Sequence, residues 1–366
     1  MRNSNFLIII AILIAVCGIL SIYSSTSLKE GSFWKLTYKR QIFWITLGLL
    51  SFFLVSNMSY RRLWDATYFL YALMLLLLIL VLILGIVRLG AQRWLKLIWF
   101  NFQPSELAKL ITVIFLSRYF SAKSLDDISL KVGKFGVLRS LALPFLFIAI
   151  PLGLIAEQPD LGTTLTIFFI FIAMLYISGV RMKYILIFLF IVLLLLPISW
   201  QWLRQYQKER ILVFLNPNID PLGAGYTVIQ SKIAIGSGGF LGKGWLSGTQ
   251  SQLHFLPESH TDFIFATFAE EWGWAGSIAL LFLYFLLIMQ GFRIAQRTND
   301  HFGRLLALGI SLMLCFQIVI NISMTLGLAP VVGLPLPLMS YGGSSLFTTF
   351  IALGILVNID KTRAVF

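Results

Sequence analysis

One aspartate stands at the entrance to an apolar run, in Phe255-Leu256-Pro257-Glu258-Ser259-His260-Thr261-Asp262-Phe263-Ile264-Phe265. An ionisable group at the edge of a membrane-length helix is costly, and it is a functional candidate for that reason. Asp262 fits a general base. It fits a capping role too, with Ser259 or Thr261 as the N-cap and Asp262 in the first turn, where the helix dipole favours a negative charge. His260 is either its partner or a solvated interfacial imidazole.

Other polar groups sit in similar places. Gly90-Ala91-Gln92-Arg93-Trp94 and Gln103-Pro104-Ser105-Glu106 lie just before another apolar run. Pro104 and Ser105 read as a helix start. Glu106 and Lys109, three apart, share a helix face and can pair. Because such a pair is expensive in lipid, it is expected to face a polar cavity inside a bundle, whether it shapes a site or serves only as a structural ion pair. In Glu157-Gln158-Pro159-Asp160-Leu161-Gly162-Thr163 the two acids offer oxygens to a hard cation, or Asp160 simply caps the next helix.

Gly236-Ser237-Gly238-Gly239-Phe240-Leu241-Gly242-Lys243-Gly244 imitates a nucleotide loop. It lacks the required first glycine, having Ser237 there, and has Gly244 where Ser or Thr should follow the lysine. Backbone amides beside Lys243 could still approach another phosphate; a plain flexible turn is the other reading. The uncharged stretch 328–343, with Pro330, Pro335 and Pro337, runs into Ser340-Tyr341-Gly342-Gly343-Ser344-Ser345. Irregular apolar backbone of this kind reads as re-entrant, buried in protein or lining a cavity. The helix after it would start at Ser344 or Ser345, its N-terminus open to an anion.

The elements that must position these groups are membrane helices. Of 366 residues 58% are hydrophobic and only 12% charged, with a mean hydropathy of +0.89; a soluble domain carries about 25% charged residues. This excludes a globular soluble enzyme, a disordered chain and a disulfide scaffold. The net charge of +13 points to loop lysines and arginines that orient a membrane protein and meet anionic head groups of membrane lipid. No basic surface domain presents itself to nucleic acid. Cys17 and Cys315 lie in apolar runs as small core residues, and the first run reads as an uncleaved helix, not a signal peptide.

Apolar runs near 20 residues recur at about 6–23, 41–57, 66–87, 105–119, 140–156, 161–178, 184–200, 263–291, 303–327 and 344–359. The expected fold is therefore all-α: a polytopic membrane protein of about ten transmembrane helices, forming one integral membrane domain over 1–366. A large extracytoplasmic loop, about 201–262, joins helices seven and eight. Its aromatics, among them Trp202, Tyr206, Phe214, Tyr226, Phe240 and Trp245, suit an interfacial position. Basic residues such as Arg61, Arg62, Lys123, Lys131, Lys134, Arg139, Arg293 and Arg363 favour both termini inside the cell. Most acids then fall on the outer face, which reads as the working side.

Taken together, Gly90–Trp94, Phe102–Lys109, Gln158–Thr163, Asp220–Gly244, Phe255–Phe265 and Pro330–Ser345 resemble the SEDS family (shape, elongation, division, sporulation), and within it the RodA branch. The resemblance spans nearly the whole chain. Trp272 and Trp274 depart from it, standing where smaller aliphatic residues are usual. The resemblance implies a peptidoglycan glycosyltransferase that polymerises lipid II on the outer face of the bacterial cytoplasmic (inner) membrane during elongation and rod-shape maintenance. It also implies work with a class B penicillin-binding protein and the elongation machinery, and dependence on a divalent cation, Mg2+ or Mn2+. Asp262 matches the family's essential aspartate.

The chemistry agrees. A lipid pyrophosphate donor carries its own activation, so no nucleotide is needed. Transfer requires a base for the acceptor hydroxyl, here Asp262. It also requires positive charge for the departing pyrophosphate, assigned to Arg93, Arg210 and Lys243 with a metal near Asp160. Trp94, Glu106, Lys109, His260, Ser340, Gly342, Gly343 and Ser344 complete the expected substrate site. The rival classes are a lipid II flippase, which needs polar groups on both sides of a path, a division-type polymerase, and a non-catalytic scaffold.

Overall fold

The computed structural model describes residues 2–27, 34, 36–88, 91–97, 100–122, 141–221, 223 and 225–362. Gly90 and the loop residues Lys123, Lys131, Lys134 and Arg139, with Arg363, fall outside the described residues. So does their part of the orientation argument.

Each of the ten expected runs is a helix. They are α1 (Arg2–Ser27), α2 (Thr37–Asn57), α3 (Arg61–Leu84), α4 (Pro104–Ser121), α5 (Leu143–Glu157), α6 (Leu161–Ile177), α7 (Met182–Ser199), α11 (Ile264–Arg297), α12 (His301–Thr325) and α13 (Gly343–Thr362). Between α7 and α11 lie α8 (Gln205–Leu215), α9 (Tyr226–Ser237) and the single turn α10 (Thr249–Gln252). Six of the ten, α1–α3 and α11–α13, are long and apolar enough to cross a membrane by themselves. Helices α5 and α6 and most of α7 are shorter apolar segments, and α4 carries Glu106, Lys109 and Arg118 within its apolar sequence.

Local chemistry sets the ends. Pro104 opens α4 with Glu106 in its first turn, as a proline-first helix start requires. Asp160 caps α6 and Asp300 caps α12, each accepting from the backbone three residues on. Helix α13 is the axis of the bundle, buried along nearly its whole length and packed on α2, α4 and α12.

Two features escape a hydropathy reading. A small antiparallel sheet, β1 (Ile86–Arg88), β2 (Ala91–Lys96) and β3 (Asn101–Phe102), fills the α3–α4 connection. It is tied to the end of α3 by Gln92, whose amide donates to Leu82 O and Gly85 O. Helix α11 is also not continuous, because Gly273 breaks it with φ 66° and ψ −163°. The glycine-rich segment after α9 inserts into that break. Lys243 N and Gly244 N donate to Glu270 O and Glu271 O, while Trp274 N and Ala275 N donate to Gly239 O and Phe240 O. The backbones cross so closely that a Cβ on Gly273 would lie 2.2 Å from Gly242 N. Glycine is obligatory there.

This insertion settles the two readings of the glycine segment by geometry. The amides of Gly242, Lys243 and Gly244 are spent on protein carbonyls, so they do not cradle a phosphate. The Lys243 ammonium lies 2.7 Å from Glu270, which is fully buried and also accepts from Thr249 Oγ1 and Gln250 N. Lys243→Met leaves that carboxylate without its cation and should cost about 1–3 kcal/mol. The readout is the thermal midpoint of the detergent-solubilised chain, and an unchanged midpoint would contradict the clamp. The two unusual tryptophans pack locally, Trp272 stacked on Phe268 and Trp274 against Phe240.

Candidate active site

The residues before α11 form a turn, not its first helical turn. Phe263 occupies the N-cap position without a side-chain cap, so Asp262 precedes the helix. Thr261 Oγ1 turns instead to the Glu258 carboxylate at 2.9 Å, and Ser259 is buried. The capping reading of Ser259, Thr261 and Asp262 therefore fails, and with it the expectation that the helix dipole holds Asp262 ionised.

Three consecutive carbonyls of this turn are gripped from one side. His260 O accepts from Tyr341 N at 3.0 Å, Thr261 O from Ser340 Oγ at 2.6 Å, and Asp262 O from Asn321 Nδ2 at 3.0 Å. Ser340 and Tyr341 belong to the irregular segment between α12 and α13, which is extended and turned and has no helix from 328 to 342. Its carbonyls are satisfied by protein, as buried irregular backbone demands: Leu334 O by Asn321, Pro335 O by Gln317, Pro337 O by Tyr284 and Ser340 O by Gln41. The re-entrant expectation thus has its physical counterpart.

The Asp262 side chain is half-buried and faces a positively charged wall. Burial first, and then the charge of Glu258, push its carboxyl up to about 6, against the pull of Arg93 and Arg210; Asp160 adds a smaller push upward. Arg210 on α8 donates to Val331 O at 3.0 Å and lies over the Tyr206 ring. Burial and the neighbouring Arg93 lower its own pKa. Arg93 on β2 donates to Pro159 O and stands 4.0 Å from Asp160. Between these groups lies Gly333, at φ 71°. A Cβ there would meet Asp262 Oδ2 at 3.4 Å and Arg93 at 3.6 Å, so the missing side chain keeps carboxylate and guanidinium open to one shared space. Gly333→Ala adds a methyl in that space on a backbone conformation costing roughly 1–2 kcal/mol for an L-residue. The activity of the chain is expected to fall at least tenfold at equal protein recovery; wild-type activity would show that the space is not used.

The remaining expected residues divide. Glu106 and Lys109 pair at 2.7 Å, both under 3% exposed, inside the packed bundle; the ion-pair reading is the one observed, and neither cavity described here is lined by them. Mutual neutralisation and their hydrogen bond make that burial tolerable. His260 is 6% exposed, between the rings of Trp34 and Tyr341. It is not a solvated imidazole, because the aromatic rings exclude water from it. Trp94 pairs with Ile86 in the small sheet. Gly343 packs against Trp44, Ser344 Oγ accepts from Gln103 N, and Gly342 lies just before them at the start of α13. With Leu47, Phe100, Phe102 and Phe347, the Trp44, Gly343 and Ser344 positions line an apolar pocket open on one side. Ser340 spends its hydroxyl on Thr261 O and Leu336 N. Lys243 is held by Glu270 rather than drawn to Asp262.

Asp160 does not fit a metal site. Its oxygens accept from Gln103, Ser105, Thr163 Oγ1 and Thr163 N, which leaves little for a cation. Among the described residues no three His, Cys, Asp or Glu side chains gather as metal ligands. Gly333, Asn321 and Glu258 were missed by the sequence reading. A lone glycine or asparagine in apolar sequence has no local signature.

The family described as "FTSW_RODA_SPOVE: Cell cycle protein" matches residues 4–364. The chain belongs to this SEDS family. The SEDS chain is 41% identical to "Peptidoglycan glycosyltransferase MrdB" of Escherichia coli (strain K12), covering 89% of this chain and 86% of that protein. It is 33% identical to "Peptidoglycan glycosyltransferase RodA" of Treponema pallidum (strain Nichols), with 94% of each covered. Division relatives are similar too: "Probable peptidoglycan glycosyltransferase FtsW" of Trichlorobacter lovleyi is 37% identical over 97% of this chain and 92% of its own. Among solved structures, a chain of "Structural coordination of polymerization and crosslinking by a peptidoglycan synthase complex" aligns with TM-score 0.81 and 37% identity, covering 98% and 97%. The RodA crystal structure from Thermus thermophilus aligns with TM-score 0.70 and 31% identity, covering 98% and 96%. The SEDS chain is a polytopic, multi-pass membrane protein.

Proposed function

We infer that this chain is a peptidoglycan glycosyltransferase of cell elongation, polymerising lipid II with Asp262 as general base. One observation carries the assignment of the site: a carboxyl with its pKa raised to about 6 shares the Gly333 opening with Arg93 and stands in the field of Arg210. A carboxylate of ordinary acidity is a feeble base for a sugar hydroxyl; raising its pKa toward the working pH is the standard remedy. In the reaction the acceptor hydroxyl gives its proton to an Asp262 carboxylate oxygen as its own oxygen bonds to the donor's anomeric carbon. The bond from that carbon to the lipid pyrophosphate breaks, and the electron pair leaves with the pyrophosphate. Single displacement inverts the anomeric carbon. Arg93 and Arg210 offset the charge that develops. A divalent cation supplied with the substrate would add positive charge to that of Arg93 and Arg210.

The apolar cavity beside Ser344 suits the first isoprene units of the lipid. The polar groups gather at one end of the bundle, which favours an enzyme over a carrier. That end faces outward in this reading, with both termini cytoplasmic, and the partner is a class B penicillin-binding protein that crosslinks the product. The test is glycan polymerisation from labelled lipid II by the purified full chain with its partner's crosslinking blocked. Polymer is expected; its absence, with lipid II translocated across vesicles instead, would favour the flippase.

A further inference from the structure

Asn321 lies on α12, 59 residues from Asp262 along the chain, and is fully buried. Its amide nitrogen donates to Asp262 O at 3.0 Å and to Leu334 O at 2.6 Å. Both partners are carbonyls, which fixes the orientation of the amide. Its own Oδ1, buried as well, accepts from no described group. A buried acceptor left in this state costs about 1–3 kcal/mol, a cost set against the two carbonyls that the amide satisfies. What its two donors do is join three pieces: the helix α12, the turn that carries Asp262, and the strand of irregular backbone that carries Gly333, next to Leu334.

We propose that Asn321 is a positioning residue for the glycosyl transfer, locking the backbone of Asp262 to the Gly333–Leu334 segment so that the carboxylate is held against the space it shares with Arg93. The inference rests on the reading of Asp262 as base. Of the three carbonyl clamps on this turn, only that of Asn321 acts on the reacting residue itself and also spans to the opposite wall. Without it, the preceding residues stay tied to Ser340 and Tyr341 farther along the same irregular segment, but Asp262 loses its own bond to the part that carries Gly333. The charged groups facing Asp262 are Glu258 on its own turn, Arg93 on β2, Arg210 on α8 and Asp160 at the start of α6. Any loosening lets the carboxyl move toward water or toward the arginines, and both lower its proton affinity.

The test compares Asn321→Leu, Asn321→Ser and Asn321→Gln in the full chain with its partner, using labelled lipid II across pH 5 to 8. The leucine variant is expected to lose at least tenfold in kcat with KM within twofold. The acidic limb of its kcat/KM profile should move downward by half a pH unit or more. The glutamine variant, which keeps an amide donor, should recover part of the rate. A merely structural role scales the profile at every pH without moving the limb, and that result in an equally folded variant would overturn the proposal. Should the leucine variant fail to accumulate, the limb is read in the serine variant, which removes the amide with less steric change. Asp262→Asn runs alongside. If it polymerises lipid II, the base assignment falls and this proposal with it; if it is inactive while the Asn321 limb stays in place, only the positioning role falls.

Discussion

Asp262→Asn is expected to lower lipid II polymerisation by about 10²–10⁴-fold, the range that a general base contributes, while leaving the protein folded. The substitution keeps the volume and the backbone clamps from Asn321, Ser340 and Tyr341, and it removes the carboxylate's charge and its ability to take a proton. It should also stabilise the chain at neutral pH. The folded-state pKa of Asp262 is raised from 3.8 to about 6. Between those values the folded protein holds more protons than the unfolded chain, so stability falls as pH rises through that window. Asparagine, uncharged throughout, escapes this loss. The expected result is an inactive variant with a thermal midpoint at or above wild type at pH 7. In the wild type kcat/KM should climb about tenfold per pH unit below pH 6 and level off above it, since the base works ionised. Polymer from the asparagine variant at a wild-type rate would end the base assignment. A wild-type profile flat from pH 5 to 7 would show that Asp262 does not titrate in the rate-determining step.

Arg210→Met is expected to lower polymerisation by about 10²–10³-fold, as loss of one donor to a developing negative charge does elsewhere. Methionine retains much of the apolar stem among Val213, Phe214, Pro217 and Val228, which line a shallow pocket with Arg210. The loss is therefore of charge more than of packing. A second consequence follows from the field at Asp262. Arg210 lowers the proton affinity of that carboxyl, so removing it should move the acidic limb above pH 6. The shift is opposite in direction to the one expected for Asn321→Leu, which gives the two variants separate signatures in one assay. A rate within threefold of wild type would remove Arg210 from the site.

The contrast between Asp262 and Lys243 shows how far the sequence carries. Both are ionisable residues in suggestive surroundings, one before an apolar run and one in a glycine-rich stretch. Local pattern could not tell them apart. Asp262 opens onto the same space beside Gly333 as Arg93 and stands in the field of Arg210, whereas Lys243 meets the buried Glu270, 27 residues later on a helix whose break was invisible to hydropathy. Glu106 and Lys109 were different, because i,i+3 spacing on one helix predetermines the contact, and the pair is there at 2.7 Å.

What the amino-acid sequence determined by itself was everything governed by short-range rules. Ten apolar runs became ten helices, because backbone in a nonpolar phase must satisfy its own hydrogen bonds. Pro104 and Asp160 marked helix starts, because capping acts within a single turn. The uncharged, proline-rich 328–343 stretch was legible as irregular backbone inside protein. Tertiary structure alone decided which groups share a site. Arg93, Arg210, Asp262, Asn321 and Gly333 come from five separate segments, and no periodicity encodes a distance between them. It also decided the acidity of Asp262, since a carboxyl's pKa depends on burial and on charges brought near by folding. In the sequence Asp262 is one aspartate among other acids; in the folded chain burial and the neighbouring Glu258 push its carboxyl up to about 6.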